Sequence, residues 1–198
     1  METEIEAKFL DINVNEIREL LKKNNAKFIH EERDMKRKVF DYTDKRLAKI
    51  GGWIRVRDEG DKITLSYKRL IDRTLEGTKE IVVNVDSFEK SCDLLVAVGF
   101  DCLSFQETKR ERWELNDVEI TIDTWPWIPT FIELEGENEE ALKNIANKLN
   151  IDWNKALYGS VEIAYRNYYE VTDKEVDSWE TITFSPIPDW LEMKRKSI

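Results

Sequence analysis

Glu4-Ile5-Glu6-Ala7-Lys8-Phe9 sets two carboxylates and an ammonium at alternate positions near the start of the chain. In an extended strand, Glu4, Glu6 and Lys8 share one face, and Ile5, Ala7 and Phe9 share the other. A divalent cation held by Glu4 and Glu6, beside a phosphate held by Lys8, would neutralise the charged face. An edge strand of alternating charge facing water would explain the same six residues. The chemistry therefore depends on whether other strands repeat the pattern.

They repeat it, and the signs are grouped. Trp53-Ile54-Arg55-Val56-Arg57 puts both arginines opposite Ile54 and Val56. Lys62 to Lys68 sets Thr64, Ser66 and Lys68 opposite Ile63, Leu65 and Tyr67, and Arg110 and Arg112 share a face. Carboxylates return in Val118-Glu119-Ile120-Thr121-Ile122-Asp123 and in Phe131-Ile132-Glu133-Leu134-Glu135. Period-two strands, apolar on one face and charged on the other, predict an antiparallel sheet. Water-facing strands would carry mixed, interchangeable charges. Here cations gather on the middle strands and carboxylates on the first and last.

In order and spacing these segments, over roughly residues 2 to 168, resemble the CYTH superfamily, the triphosphate tunnel metalloenzymes. That group includes class IV adenylyl cyclases, thiamine triphosphatases and inorganic tripolyphosphatases. Glu4-Ile5-Glu6-Ala7-Lys8 fits its ExExK signature. Trp53 to Arg57 resembles its paired-arginine strand, Leu65 to Arg69 its lysine strand, and Arg110-Glu111-Arg112 its later basic pair. Asp123 and Phe131 to Glu135 resemble its closing acidic strands. The second strand departs from the family pattern, reading Arg37-Lys38-Val39-Phe40-Asp41, so only Arg37 and Asp41 carry over there.

The resemblance implies roles. Glu4, Glu6 and Glu135 would bind a first Mg²⁺ or Mn²⁺, while Asp123 and Glu133 would hold a second ion or order water. Lys8, Arg37, Arg55, Arg57, Lys68, Arg110 and Arg112 would clamp a triphosphate, and Glu4, Glu6, Lys8 and Glu133 would form the catalytic set. Hydrolysis of tripolyphosphate, a nucleoside triphosphate or thiamine triphosphate is the leading expectation. Conversion of ATP to cyclic AMP and pyrophosphate is the alternative, and a non-catalytic polyphosphate- or nucleotide-binding module a further one.

The elements that must position these residues follow from periodicity and caps. Strands are expected at about 2–9, 27–42, 53–58, 62–69, 78–85, 103–116, 118–125 and 131–136. Helices are expected from the Asn13 cap to about Asn24, from Ser87 to Gly99, over Glu139–Leu149 and over Tyr158–Tyr169. Eight antiparallel strands can close on themselves, which removes exposed edges. The expected fold is thus α+β: a closed eight-stranded antiparallel barrel with a charged lumen and helices packed outside. Asp41 and Glu80 join the inward-facing set. Trp125-Pro126-Trp127-Ile128-Pro129 reads as an apolar lid over the barrel's end, or as a shelf for a nucleobase.

A chain of 198 residues suits one domain with a sizeable core. Residues 1–170 would form the tunnel domain, and 171–198 a packed extension with a frayed basic end, not a second domain. Charged residues make up 36%, but seven Trp, eight Phe and six Tyr supply enough apolar mass to exclude a disordered chain. The net charge of −10 argues against nucleic acid or an anionic membrane as partner, and leaves room for a locally basic cavity. With no long apolar run and no leader pattern, a soluble cytoplasmic protein with a small-molecule triphosphate partner is expected. Cys92 and Cys102 lack metal-ligand spacing and read as buried, reduced thiols.

Overall fold

The computed structural model describes residues 1–197. Alternating side chains build one antiparallel ring. In chain order the strands are β1 (Glu2–Glu4), β2 (Glu6–Phe9), β3 (Lys27–Tyr42), β4 (Gly52–Asp58), β5 (Ile63–Leu70), β6 (Thr78–Val85), β7 (Phe100–Leu115), β8 (Val118–Thr124) and β9 (Phe131–Glu135). In space they run β1-β6-β5-β4-β3-β7-β8-β9-β2. The ring thus holds nine strands, not the eight expected. The first expected strand breaks at Ile5: Glu2 lies opposite Glu80 on β6, whereas Glu6 lies opposite Glu135 on β9. One stretch of chain closes the ring by changing partner midway, the stagger that barrel closure demands. Gly136 donates to the Ile5 carbonyl at 3.1 Å across that seam.

Closure is nearly complete. β1 covers only Thr78 to Glu80 of β6, so Ile81 to Val85 extend past it, with Ile81, Val82 and Val83 about half exposed.

Among the described residues six helices surround the sheet: α1 (Val14–Lys23), α2 (Phe88–Ala97), α3 (Glu139–Lys148), α4 (Glu162–Tyr168), α5 (Asp173–Asp177) and α6 (Asp189–Glu192). Side chains of Asn13, Ser87, Asn138 and Thr172 cap α1, α2, α3 and α5 by accepting first-turn N–H groups. α1 and α3 cover Ile120, Ile122, Ile132 and Leu134 with Ile17, Leu21, Leu142 and Ile145. α2 covers Val56 and Phe40 with Phe88, Cys92 and Leu95, against Ile54, Ile63 and Leu65. The apolar faces therefore point outward beneath helices, and the charged faces inward. Among the described residues no helix is long and apolar enough to cross a membrane.

Several boundaries differ from expectation. β7 starts at Phe100, three residues early, because it pairs with β3 as far as Tyr42. The helix expected from Tyr158 starts only at Glu162, since Leu157 bridges to Lys8 backbone to backbone. The extension packs through to Leu191, and beyond it Met193, Arg195, Lys196 and Ser197 are exposed. Val171, Val176, Trp179, Ile182 and Leu191 join a buried cluster with Trp125, Phe131, Tyr165 and Tyr169. Thr181 and Ile182, as β10, pair in parallel with β7, and Lys196 donates its N–H to Tyr168 O at 2.9 Å. Ile198, the last residue of the expected frayed end, lies outside the described residues. Cys92 is buried as expected, but Cys102 is exposed.

Candidate active site

Register turns the alternating pattern into inward-facing rows. At one end of the barrel, Glu6, Glu135 and Glu119 lie side by side across β2, β9 and β8. The next row holds Lys8, Glu133, Thr121 and Arg112. Deeper still, Phe131, Asp123 and Arg110 align. On the opposite wall Arg57 faces Arg37 and Thr64, while Arg55 faces Val39 and Ser66. Side-chain exposure falls along the way, from 33% for Arg112 and 27% for Glu119 to 14% for Arg110 and 2% for Asp123. The Glu119 end is a mouth. The other end is closed by Trp125, Phe131 and Tyr165, all buried.

Within the lumen nearly every charge is paired. Lys8 Nζ bridges Glu6 at 2.8 Å and Glu133 at 3.1 Å. Arg110 donates to both oxygens of Asp123, at 2.6 and 2.5 Å, and reaches Glu133 at 3.0 Å. Lys68 lies 2.7 Å from Glu4 and Arg55 3.2 Å from Glu80, while Arg57 holds Glu59 at 2.6 Å. At the mouth Arg112 pairs with Glu119. Pairing of this kind is required, because each charge alone would carry a desolvation cost of several kcal/mol.

Pairing still leaves buried N–H groups without a partner, on Arg37 and Arg55 of the β3–β4 wall and on Arg112 at the mouth. Arg37 donates to Thr108 Oγ1 at 3.1 Å and stacks 4.6 Å from the Trp125 ring, and its Nε has no hydrogen-bond partner. Burial, and then the like charges of Arg55, Arg57 and Arg110, hold its guanidinium well below the ordinary arginine range. Arg55 also leaves Nε unpartnered; burial and Arg57 lower it to about 10. Buried donors without acceptors are rare and costly, and two arginines with spare N–H groups form a seat for an oxyanion.

Burial works in the opposite direction on the carboxylates. It pushes the Glu4 carboxyl up to about 8, against the attraction of Lys68. Glu133, which burial alone would raise, is held well below the usual range by Lys8 and Arg110. Burial and the repulsion of Glu6 and Glu119 raise Glu135, and at an exposed rim the repulsion is the part that survives solvent. Three carboxylates in one row, one of them raised by the others, suit a hard divalent cation. Among the described residues no three acidic, His or Cys side chains converge closely enough to hold a metal ion. The reason is local: Lys8 draws Glu6 away, and Arg112 draws Glu119 away.

The residues singled out from sequence distribute as follows. Glu4, Glu6, Lys8, Arg37, Arg55, Arg57, Lys68, Glu80, Arg110, Arg112, Asp123, Glu133 and Glu135 all lie on inward-facing strand positions. Asp41 does not act in the lumen. Its carboxylate accepts the N–H groups of Tyr42, Leu47 and Ala48 and caps the β3–β4 loop. Trp125 is no nucleobase shelf, since its ring is buried against Arg37. Glu119 was missed as a site residue, although its place two and four residues before Thr121 and Asp123 puts it on their face. Glu59 was missed too, because it sits in the β4–β5 turn outside any alternation. Two cavities, of about 390 and 310 Å³, lie outside the barrel beside α1 and involve none of the lumen charges.

The fold, a helix-covered antiparallel ring, is shared with solved proteins. The CYTH domain family matches residues 2–169. A Methanocaldococcus jannaschii protein, provisionally named an adenylate cyclase, is 30% identical over 138 residues, which cover 68% of this chain and 76% of that protein. A Vibrio parahaemolyticus structure, also provisionally named an adenylate cyclase, superposes with a TM-score of 0.70 at 14% identity, covering 83% of this chain and 98% of that one. A Hippeastrum protein described as having a dominant triphosphatase activity gives a TM-score of 0.57 at 16% identity, covering 89% and 95%. The chain belongs to the CYTH domain family, an enzyme family of triphosphatases and adenylyl cyclases.

Proposed function

We propose that this protein is a divalent-metal-dependent triphosphatase that cleaves tripolyphosphate, a nucleoside triphosphate or thiamine triphosphate. The observation that carries this reading is the unbalanced arginine wall, Arg37 and Arg55 with spare buried N–H groups, facing carboxylates across one lumen. Arg37, Arg55, Arg57 and Arg110 grip phosphate oxygens in pairs of parallel hydrogen bonds, and Lys8 and Lys68 add point charges. Glu4, Glu6 and Glu135 would hold Mg²⁺ or Mn²⁺, and Asp123 and Glu133 would assist a second ion or orient the water. Such an ion, when bound, neutralises charge on the phosphoryl group and lowers the pKa of bound water.

The side chains exchange partners when a guest arrives. Phosphate draws Lys8 and Arg110 off Glu6 and Glu133, which frees those carboxylates for a cation or for orienting water. Phosphoryl transfer needs positioning and charge neutralisation more than covalent chemistry, and this lumen supplies both. Residues 1–170 form the tunnel domain, and 171 onward its extension.

Cyclisation of ATP is the second reading, supported by the naming of the archaeal and Vibrio relatives. Hydrolysis is preferred because the Hippeastrum neighbour, itself named a cyclase, is described as chiefly a triphosphatase. The test is a product assay with Mg²⁺ or Mn²⁺ and tripolyphosphate, ATP or thiamine triphosphate in separate reactions. Orthophosphate without cyclic AMP is expected. Cyclic AMP with pyrophosphate would establish the cyclase, and binding without turnover a silent module.

A further inference from the structure

The ring has one open edge. β6 runs from Thr78 to Val85, but β1 pairs only with Thr78, Lys79 and Glu80. Ile81-Val82-Val83-Asn84-Val85 is paired with β5 on one side, from Tyr67 back to Ile63, and presents a free backbone edge on the other. Register fixes its faces. Val82 and Asn84 lie opposite Ser66 and Thr64 on the lumen side, whereas Ile81, Val83 and Val85 lie opposite Tyr67, Leu65 and Ile63 on the outer side. Ile81, Val82 and Val83 are each about half exposed, and Asn84 is exposed as well. Both faces and the edge of this short run are therefore open to solvent.

Folded proteins blunt such an edge with charge, proline or a covering element, because its free N–H and C=O groups invite another strand. This edge has none of the three. In a chain with 36% charged residues, these five consecutive positions hold three valines, an isoleucine and an asparagine. High β-propensity without charge makes the run a template for strand addition.

The run is also self-complementary. A two-fold axis through Val83, perpendicular to the sheet, sets two copies antiparallel. Val83 then meets Val83 of the partner subunit, Ile81 meets the partner's Val85, and Val82 meets the partner's Asn84. Outward side chains stay outward and lumen-side chains stay on the lumen side, and no charge faces its like. A slip of one residue would oppose outward to inward side chains. A slip of two would either run into the positions that β1 already covers or set Asp86 against the partner's Val82. Only the register centred on Val83 uses all five free residues. Two chains of net charge −10 repel each other, so an uncharged strip is where they can touch.

We propose that Ile81–Val85 is a dimerisation edge, which pairs antiparallel with the same five residues of a second copy of this chain about a two-fold axis at Val83. The two rings then share one continuous sheet, and each copy covers the stretch of β6 that the other's β1 leaves bare. Five residues a side lie at the small end of specific interfaces, so the dissociation constant is expected in the micromolar range.

The test is analytical ultracentrifugation of the full-length protein over about 1–200 μM, a span that brackets the expected constant. A monomer–dimer equilibrium is expected, and it should tighten between about 0.05 and 0.5 M salt as screening weakens the repulsion between the two chains. Val83→Lys sets two ammonium groups against each other across the axis and should weaken dimerisation at least about thirtyfold, with an unchanged circular dichroism spectrum. A second variant does not depend on how that one folds. Opposed Cα atoms in an antiparallel pair lie about 4.5–5.5 Å apart, within reach of a disulfide. Val83→Cys, combined with Cys102→Ser to remove the exposed native thiol, should therefore give a covalent dimer under mild oxidation with diamide, whereas Cys102→Ser alone should not. A protein that stays monomeric over the whole range would overturn the proposal, whatever other chains adhere to the strip. So would a dimer that Val83→Lys leaves intact and Val83→Cys fails to cross-link, since its interface would lie on another face.

Discussion

The mouth of the barrel is built from strand residues, whereas its other end is roofed by Phe131 of β9 together with Trp125, Tyr165 and Tyr169 from outside the strands, and the two ends rest on opposite physics. At the mouth Glu6, Glu119 and Glu135 crowd in one row and are stable only through Lys8 and Arg112. At the roof Trp125, Phe131, Tyr165 and Tyr169 exclude water and bury large apolar surfaces. Each such ring contributes on the order of 2–3 kcal/mol by burial, with somewhat more from edge-to-face pairing. The lumen charges contribute little net stability, since Coulombic gain and desolvation roughly offset one another. The comparison teaches a division of labour: buried aromatic residues stabilise the barrel, which lets its interior carry paired charges that add little stability of their own.

The contrast can be broken at either end. The largest effect is expected at the roof. Phe131→Ala removes a fully buried ring and should cost about 3–5 kcal/mol of stability, measurable by denaturant unfolding. A loss under about 1 kcal/mol would show that the roof is not packed as described.

Next comes the mouth. Glu6→Gln keeps shape but removes a hard anionic ligand, so turnover should fall by about two to three orders of magnitude with an unchanged melting temperature, and added Mn²⁺ should restore part of it. Normal turnover at low metal would displace Glu6 from the proposed site. Arg37→Met joins the two regions and should carry opposite signs: triphosphate affinity down by about tenfold to a hundredfold, and the melting point of the unliganded protein up by a few degrees as an unbalanced buried charge disappears.

The pH dependence is subtler. Folding raises the Glu4 carboxyl from an ordinary 4.5 to about 8, so the folded form takes up a proton that the unfolded chain releases. The unliganded protein should therefore lose stability as pH rises from about 5 to 8, and Glu4→Gln should flatten that slope in thermal melts. Glu80, lowered to about 2, acts with the opposite sign and only below about pH 4.5. The smallest effect is a control: Lys194→Ala, on the outer surface of the tail, should leave turnover and triphosphate binding unchanged. A clear kinetic defect there would mean that the tail reaches the chemistry.

The faces of the strands were legible because side chains alternate with period two whatever the surroundings. Arg55 and Arg57 share a face as soon as Ile54 and Val56 demand burial, and a slip of one residue would invert all four. Asp41 misled for the complementary reason. Its position on the expected strand was right, but its carboxylate is claimed by three N–H groups of a loop whose path no periodicity records. Glu119 stood within the alternation and could have been included, whereas Glu59 acts from a turn and could not.

The sequence by itself determined which of the charged strand residues share a face, where α1, α2 and α3 begin, and that cations and carboxylates oppose each other, because these depend on local periodicity, capping and charge. Only the tertiary structure decided that the first strand splits at Ile5 to close the ring, that Arg37 is left short of a partner, and that residues 125–131 and 157–182 roof one end. Those outcomes depend on the stagger of the barrel and on which distant side chains arrive first at each buried donor, and neither is encoded within any one segment.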